Sequence, residues 1–139
     1  MPHPDNIGTQ KDLILYRIET AKEDLKSAML LRDANIYKGA NNRAYYAVFH
    51  AITAIHGLKG VAYKRHKDAI ANFNKEYVKT GIFPREIGRK IAGVEEIRHA
   101  SDYDDFYITT LDEVDEQIAT AEEFIGLVED YCHQHMDDI

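Results

Sequence analysis

The stretch of residues 41–51, NNRAYYAVFHA, constrains the fold more than any other part of the chain. Its apolar side chains cover nearly the whole circumference of a helix, a pattern typical of a helix at the centre of a bundle. The same stretch contains Arg43 and His50. They are separated by about two helical turns and therefore point the same way. These two polar side chains either form a structural pair or belong to a functional site.

Helical periodicity continues through most of the chain. Gly57 and Gly81 are expected to end the second and third helices as left-handed caps, with Ile82 supplying the apolar contact after Gly81. Thr110 begins a capping-box pattern for the last helix. We predict an all-α fold, an antiparallel up-and-down bundle of four to five helices. The predicted helices cover residues 9–33, 38–56, 65–79, 84–103 and 110–133.

The length of 139 residues indicates one domain over residues 1–139, with an ordered core of about residues 9–135. Hydrophobic residues make up 45% of the chain, which is enough for a core. Met29, Leu111 and Cys132 are among the residues expected to face it. The single cysteine excludes an internal disulfide and a cysteine-based zinc site.

The net charge of −7 argues against broad electrostatic binding to nucleic acid, because phosphates are neutralised by lysine and arginine. It leaves room for a local basic pocket. No apolar run approaches the ~20 residues of a membrane span. Residues 1–6 lack the basic and apolar regions of a signal peptide. We therefore expect a cytoplasmic protein without a membrane partner.

An arginine occupies the expected inner face of the fourth helix. The apolar stripe of Ile87, Ile91 and Val94 continues one turn later at Arg98. Asp102 and Asp105 follow at helical spacing, and Tyr103 lies beside them. One interpretation is an internal ion pair of Arg98 with Asp102 that closes the end of the bundle, because buried charges are kept when they are paired. The other interpretation is a functional site.

The second candidate cluster lies on the second helix, where Arg43, Tyr46 and His50 share one stripe. Taken alone, His50 fits a hydrogen-bonded core histidine and Arg43 an arginine that reaches solvent. If the second and fourth helices face each other, these residues and Arg98 line one pocket. Such a pocket suits a phosphate group, which arginine binds with two parallel hydrogen bonds.

Metal and cofactor signals are weak. Glu96 and His99 form one Glu-x-x-His motif, whereas a di-iron bundle needs two such motifs and two further glutamates. We expect no metal and no cofactor, and the chain contains no glycine-rich phosphate loop. The basic stretch of residues 63–67, YKRHK, is either a solvated loop or a small patch that contacts phosphate.

Several of these segments together resemble the HEPN domain (higher eukaryotes and prokaryotes nucleotide-binding), in its branch of small stand-alone prokaryotic proteins. The resemblance covers about residues 11–131 and rests on residues 42–51, 64–73, 80–81 and 98–103. It implies four long helices plus a shorter one, and commonly a homodimer. Many family members are metal-independent RNA endonucleases, others are toxins paired with a small nucleotidyltransferase antitoxin, and still others are non-catalytic.

The catalytic signature implied by this resemblance is an arginine followed after four to six residues by a histidine, on the helix that matches the fourth helix here. Arg98 matches the arginine, but the positions permitted for the histidine hold Tyr103, Asp104 and Asp105. Arg43 and His50 have the required spacing, on the second helix instead.

Three functions stay open. The first is a dimeric binding module whose polar groove takes a nucleotide, an RNA or a nucleotidyltransferase partner, with Arg43, Tyr46 and Arg98 as binding residues. The second is a metal-independent RNA endonuclease toxin with a degenerate site. In the third, the polar cluster is purely structural. The catalytic candidates for the second function are Arg98, which would stabilise the developing charge, and Asp102, Tyr103 and His50.

Overall fold

The computed structural model describes residues 9–139, and these residues form five helices without a strand. The predicted all-α antiparallel bundle is confirmed. The signal-peptide interpretation of residues 1–6 falls outside the described part of the chain. The helices are α1 (Gln10–Asp33), α2 (Tyr37–His56), α3 (His66–Phe73), α4 (Arg85–Tyr103) and α5 (Leu111–His135).

Helix α2 is the central element, because it packs against α1, α4 and α5. Small side chains let its neighbours approach closely on several sides. Larger side chains of α2, including Tyr45 and Ile52, fill the spaces between the helices. Burial of each such large apolar side chain contributes about 1.5–3 kcal/mol. The fully buried alanines of α2 are Ala40, Ala44, Ala47, Ala51 and Ala54.

The starts of α1 and α5 are fixed by threonine caps. Thr9 and Asp12 form a complete capping box at the start of α1. At the start of α5, the Thr110 hydroxyl accepts a hydrogen bond from the Glu113 amide. The Glu113 carboxylate accepts from Asn41 and from the Tyr107 hydroxyl. The end of the bundle is therefore tied to α2 by a polar network.

The prediction of a left-handed cap at Gly57 is wrong. Gly57 has a φ of −60° and begins a 3₁₀ turn, Gly57–Lys59, while the left-handed residue is Gly60 at φ 67°. Gly57 is needed because α1 passes close to it: a Cβ atom there would lie 2.8 Å from Ile14 Cγ1. The close approach of two helices, rather than backbone handedness, accounts for this glycine.

The third predicted helix is divided. It is α-helical up to Phe73 and continues as a π-helical turn, Asn74–Val78. Gly81 is left-handed as expected, with a φ of 82°. The apolar contact after it comes from the buried Phe83, whereas the expected Ile82 is exposed.

Of the three residues named above as facing the core, Met29 and Leu111 are exposed and Cys132 is buried. Met29 follows the buried Ala28 and lies about 100° around the helix from it, while Leu111 is the first residue of α5 at the end of the bundle. Cys132 is fully buried, and burial raises the pKa of its thiol to about 12. No helix within residues 9–139 is long and apolar enough to cross a bilayer.

The role of Gly57 can be tested with two alanine variants. Gly57→Ala should lower the free energy of unfolding by about 1–3 kcal/mol, because the new methyl group overpacks the contact with Ile14. Gly126→Ala is the matched control, because Gly126 lies in α5 with open space around it. It should raise the free energy of unfolding by about 0.5–1 kcal/mol. Urea denaturation measures both, and equal effects would contradict the packing explanation.

Candidate functional site

The packing of α2 on α4 places Arg98 against an aromatic ring. The guanidinium carbon of Arg98 lies 4.2 Å from the centre of the Tyr45 ring. The Arg98 side chain is 15% exposed, and its Nε atom is buried without a hydrogen-bond partner among residues 9–139. Planar guanidinium groups stack favourably on aromatic faces. Tyr45 therefore holds Arg98 in place while part of its hydrogen-bonding capacity stays unused.

The carboxylate nearest to this arginine belongs to Asp102, one turn further along α4. Arg98 Nη1 lies 3.7 Å from Asp102 Oδ2, which also accepts a hydrogen bond from Asn42 Nδ2 at 3.0 Å. The ion pair expected from the sequence is thus present but long. Partly exposed pairs of this kind contribute about 0–1 kcal/mol. Asp102 balances part of the charge of Arg98 without saturating its donors.

Arg43 and His50 are joined by a residue that the sequence did not single out, Asp24 of α1. Asp24 Oδ2 lies 2.6 Å from His50 Nδ1, and Asp24 Oδ1 lies 3.5 Å from Arg43 Nη2. The guanidinium of Arg43 also lies 4.9 Å from the centre of the Tyr46 ring, and its Nε is buried without a partner in the described chain. The shared carboxylate fixes the orientation of the imidazole.

His66, at the start of α3, lies between these two arginine clusters. Its Nδ1 is 3.1 Å from the Tyr45 hydroxyl, and its ring stacks on Phe49 with 3.8 Å between the ring centres. Burial lowers the pKa of His66, and the positive charge of Arg98 lowers it further. The imidazole is therefore neutral at pH 7 and able to accept a proton.

Together these side chains form a continuous cluster that we call the arginine–histidine strip. The ring of Tyr46 links its two ends, because its centre lies 6.0 Å from the His50 ring and 5.8 Å from the His66 ring. Tyr46 also meets the Tyr45 ring edge-on at 5.1 Å. The strip consists of Arg43, Tyr45, Tyr46, His50, His66 and Arg98.

Of the residues that the sequence singled out, Tyr103 lies apart from this strip. Its side chain is exposed, and its ring packs against His99 at 4.9 Å. Arg98 reaches the surface at an open depression of about 400 Å³, which is also lined by Glu95 and Glu96.

Within residues 9–139, no group of three or more histidine, cysteine, aspartate or glutamate side chains could hold a metal ion.

Sequence reasoning missed Asp24, Asn42 and His66 as parts of the site. His66 was assigned to the apolar stripe of the third helix and to the basic stretch of residues 63–67. Asp24 lies in a charged segment of α1 whose pattern is that of an ordinary solvent-facing side. Their contacts with α2 depend on how the helices are rotated against each other, and the sequence carried no signal for that rotation.

Comparison with known proteins places the chain in a family. The family model for the HEPN domain matches residues 14–131. The chain belongs to the HEPN domain family. It is similar to a UPF0332 protein of Thermotoga maritima, with 32% identity over 123 residues that cover 88% of this chain and 93% of the relative. The HEPN resemblance drawn from the sequence is thus confirmed.

Two proteins of Methanocaldococcus jannaschii whose names call them putative toxins are also similar. One is 35% identical over 86 residues, covering 62% of this chain and 64% of the relative. The other is 30% identical over 87 residues, covering 63% and 59%. The crystal structure of an archaeal HEPN homologue matches with a TM-score of 0.68 and 18% identity, over 85% of this chain and 96% of that chain. That likeness supports the fold.

The position of His66 beside Arg98 can be tested by an NMR titration of the imidazole signals. In the wild type, the pKa of His66 should lie below the ordinary value of 6.5. Arg98→Gln should raise that pKa part of the way back, because a positive charge is removed while the burial remains. Arg89→Gln, on the exposed side of the same helix, should leave it unchanged. An unchanged pKa in Arg98→Gln would show that the two groups are not neighbours.

Proposed function

We propose that the protein is a HEPN-type binding module that takes a phosphate group of RNA or of a nucleotide on the arginine–histidine strip. The observation that carries the proposal is the state of Arg98. Its guanidinium is held on Tyr45, has a buried Nε without a partner among the described residues, and meets one carboxylate at 3.7 Å. An arginine in this state has donors left for a ligand.

The chemistry of the strip favours a phosphate of RNA. A phosphate accepts two parallel hydrogen bonds from a guanidinium, and Arg43 supplies a second positive charge at the other end of the strip. Tyr46, which is partly exposed between them, offers a ring for base stacking. Because the net charge of the chain is −7, binding depends on this local surface rather than on the overall field.

The partners follow from the family and from the exposed apolar side chains. Relatives named as putative toxins support a role in a toxin–antitoxin pair. The family resemblance drawn from the sequence points to a nucleotidyltransferase-type protein as the antitoxin. Tyr103, Phe106 and Ile108 are strongly exposed near the end of α4, and a homodimer would cover them. Sedimentation of the wild-type chain tests the dimer, because a monomeric mass at micromolar concentration would contradict it.

RNA binding can be measured by fluorescence anisotropy with a labelled single-stranded oligonucleotide. Arg98→Ala should weaken binding about 10- to 100-fold, the effect of losing one charge-assisted contact of about 1.5–3 kcal/mol. The salt dependence of binding should also become less steep. Arg89→Ala, exposed on the same helix, is the matched control and should bind like the wild type.

Thermal melts separate this proposal from a purely structural role of the cluster. If the cluster is structural, Arg98→Ala should melt at a clearly lower temperature, since it removes one partner of the pair with Asp102. A variant that folds like the wild type and loses RNA supports the proposal. A wild type that binds neither RNA nor nucleotide would rule it out.

A second function, metal-independent RNA cleavage, is favoured by the lowered pKa of His66. This chain lacks the histidine that the family signature has after Arg98. His66 brings a neutral imidazole to that arginine from another helix. In this reaction the 2′-oxygen of RNA bonds to phosphorus, His66 takes the 2′ proton, and the bond from phosphorus to the 5′-oxygen breaks. His50, oriented by Asp24, would supply the proton to the leaving oxygen. Arg98 would stabilise the charge on the phosphate.

Cleavage is tested with end-labelled RNA in the presence of a chelator. His66→Gln should lower the rate about 10²- to 10⁴-fold, as expected for the loss of a proton-transfer group. Because the pKa of His66 is lowered, the wild-type rate should persist below pH 6.5 before it falls. His133→Gln, exposed on α5, is the control. If the wild type leaves every RNA intact at high protein concentration, the binding module alone remains.

A further inference from the structure

A separate cavity of about 180 Å³ lies between α1, α2 and the segment that leads into α3. It shares the side chains of Phe49 and His66 with the surroundings of the strip. Arg43, His50 and Arg98 are not part of its lining. The volume corresponds to about six water molecules at roughly 30 Å³ each. A phosphate group and the first atoms attached to it would fit.

Two cationic side chains, Arg17 and Lys64, line this cavity. His56 and His66 add imidazole nitrogens, and none of the lining residues is an aspartate or a glutamate. Neither Arg17 nor Lys64 forms an ion pair with another residue of the described chain. A set of positive groups without a counter-charge attracts an anion.

One contact holds Arg17 at the cavity wall, and another pairs the nearby carboxylate of Glu76 with Lys59. Arg17 Nη1 donates a hydrogen bond to the Thr53 carbonyl oxygen at 2.9 Å, so the guanidinium is fixed at the wall while its other donors stay available. The acidic residue that influences His56 is Glu76, and its carboxylate is already paired with Lys59 at 3.5 Å. No carboxylate in the lining therefore cancels the charges of Arg17 and Lys64.

We propose that this cavity binds the terminal phosphate of a phosphomonoester, with Arg17 and Lys64 as its cationic ligands. The phosphate comes from a free nucleotide or from the phosphorylated end of an RNA chain, which present the same chemistry. This site is distinct from the phosphate site on the arginine–histidine strip, which needs Arg98. Lys64 thereby gives the basic stretch of residues 63–67 a role in phosphate binding.

Isothermal titration with inorganic phosphate, AMP and adenosine tests the cavity. Phosphate and AMP should bind, and adenosine, which lacks the phosphate, should not. In the Arg98→Ala background, in which the strip cannot bind the nucleotide, Lys64→Ala should weaken AMP binding about 10-fold, as expected for one lost charge-assisted contact. Lys67→Ala is the matched control, because Lys67 is exposed in the same basic stretch and does not line the cavity. AMP should also shift the imidazole NMR signals of His56 and His66.

Two further comparisons separate this proposal from the function of the strip. Arg98→Ala should abolish nucleotide binding at the strip and leave one AMP site at the cavity, whereas loss of all AMP binding in that variant would assign the nucleotide to the strip alone and overturn the proposal. In the Arg98→Ala background, a preference for 5′-phosphorylated over 5′-hydroxyl RNA identifies an RNA end as the source. AMP binding without that preference identifies a free nucleotide. Failure of both phosphate and AMP to bind at millimolar concentration overturns the proposal.

Discussion

The close packing of α2 against three other helices is the constraint on which the remaining structure depends. Its alanines let α1 and α4 approach, and its tyrosines then meet side chains of α4 and α3. Tyr45 contacts Arg98 of α4, and the Tyr46 ring centre lies 5.8 Å from the ring centre of His66 in α3. A bulkier helix at this position would hold its neighbours further away, and the polar side chains of α1, α3 and α4 would no longer meet.

The positive charge of the strip is only partly balanced by neighbouring carboxylates. Asp24 contacts Arg43 and His50, and Asp102 contacts Arg98. Within residues 9–139, each arginine therefore has one carboxylate, at 3.5 Å or more. Buried guanidinium groups are costly unless their donors are satisfied. The Nε atoms of Arg43 and Arg98, which have no partner within residues 9–139, are thus the features that distinguish this cluster from an ordinary internal ion pair.

His66 connects the two proposed sites. It is held by Tyr45 and Phe49, lies close to the positive charge of Arg98, and also forms part of the wall of the separate cavity. An anion in either place would favour the protonated imidazole, because an opposite charge nearby raises the pKa of a histidine.

Local periodicity was enough to determine the five helices, the central place of α2 and the shared direction of Arg43 and His50, because these follow from the geometry of a single helix. It also placed Arg98 on the inner face of α4, and this arginine packs on α2 as expected. The family could be recognised from the same segments, and the family model confirms it.

The tertiary structure alone decided which polar side chains meet. The contacts of Asp24 with His50 and of Tyr45 with His66 join residues 26 and 21 positions apart, on different helices. The rotation of one helix against another depends on side-chain packing over the whole interface, and a periodic pattern specifies a face without specifying that rotation. For the same reason Gly57 was misread as a cap, since its function depends on Ile14 of a neighbouring helix.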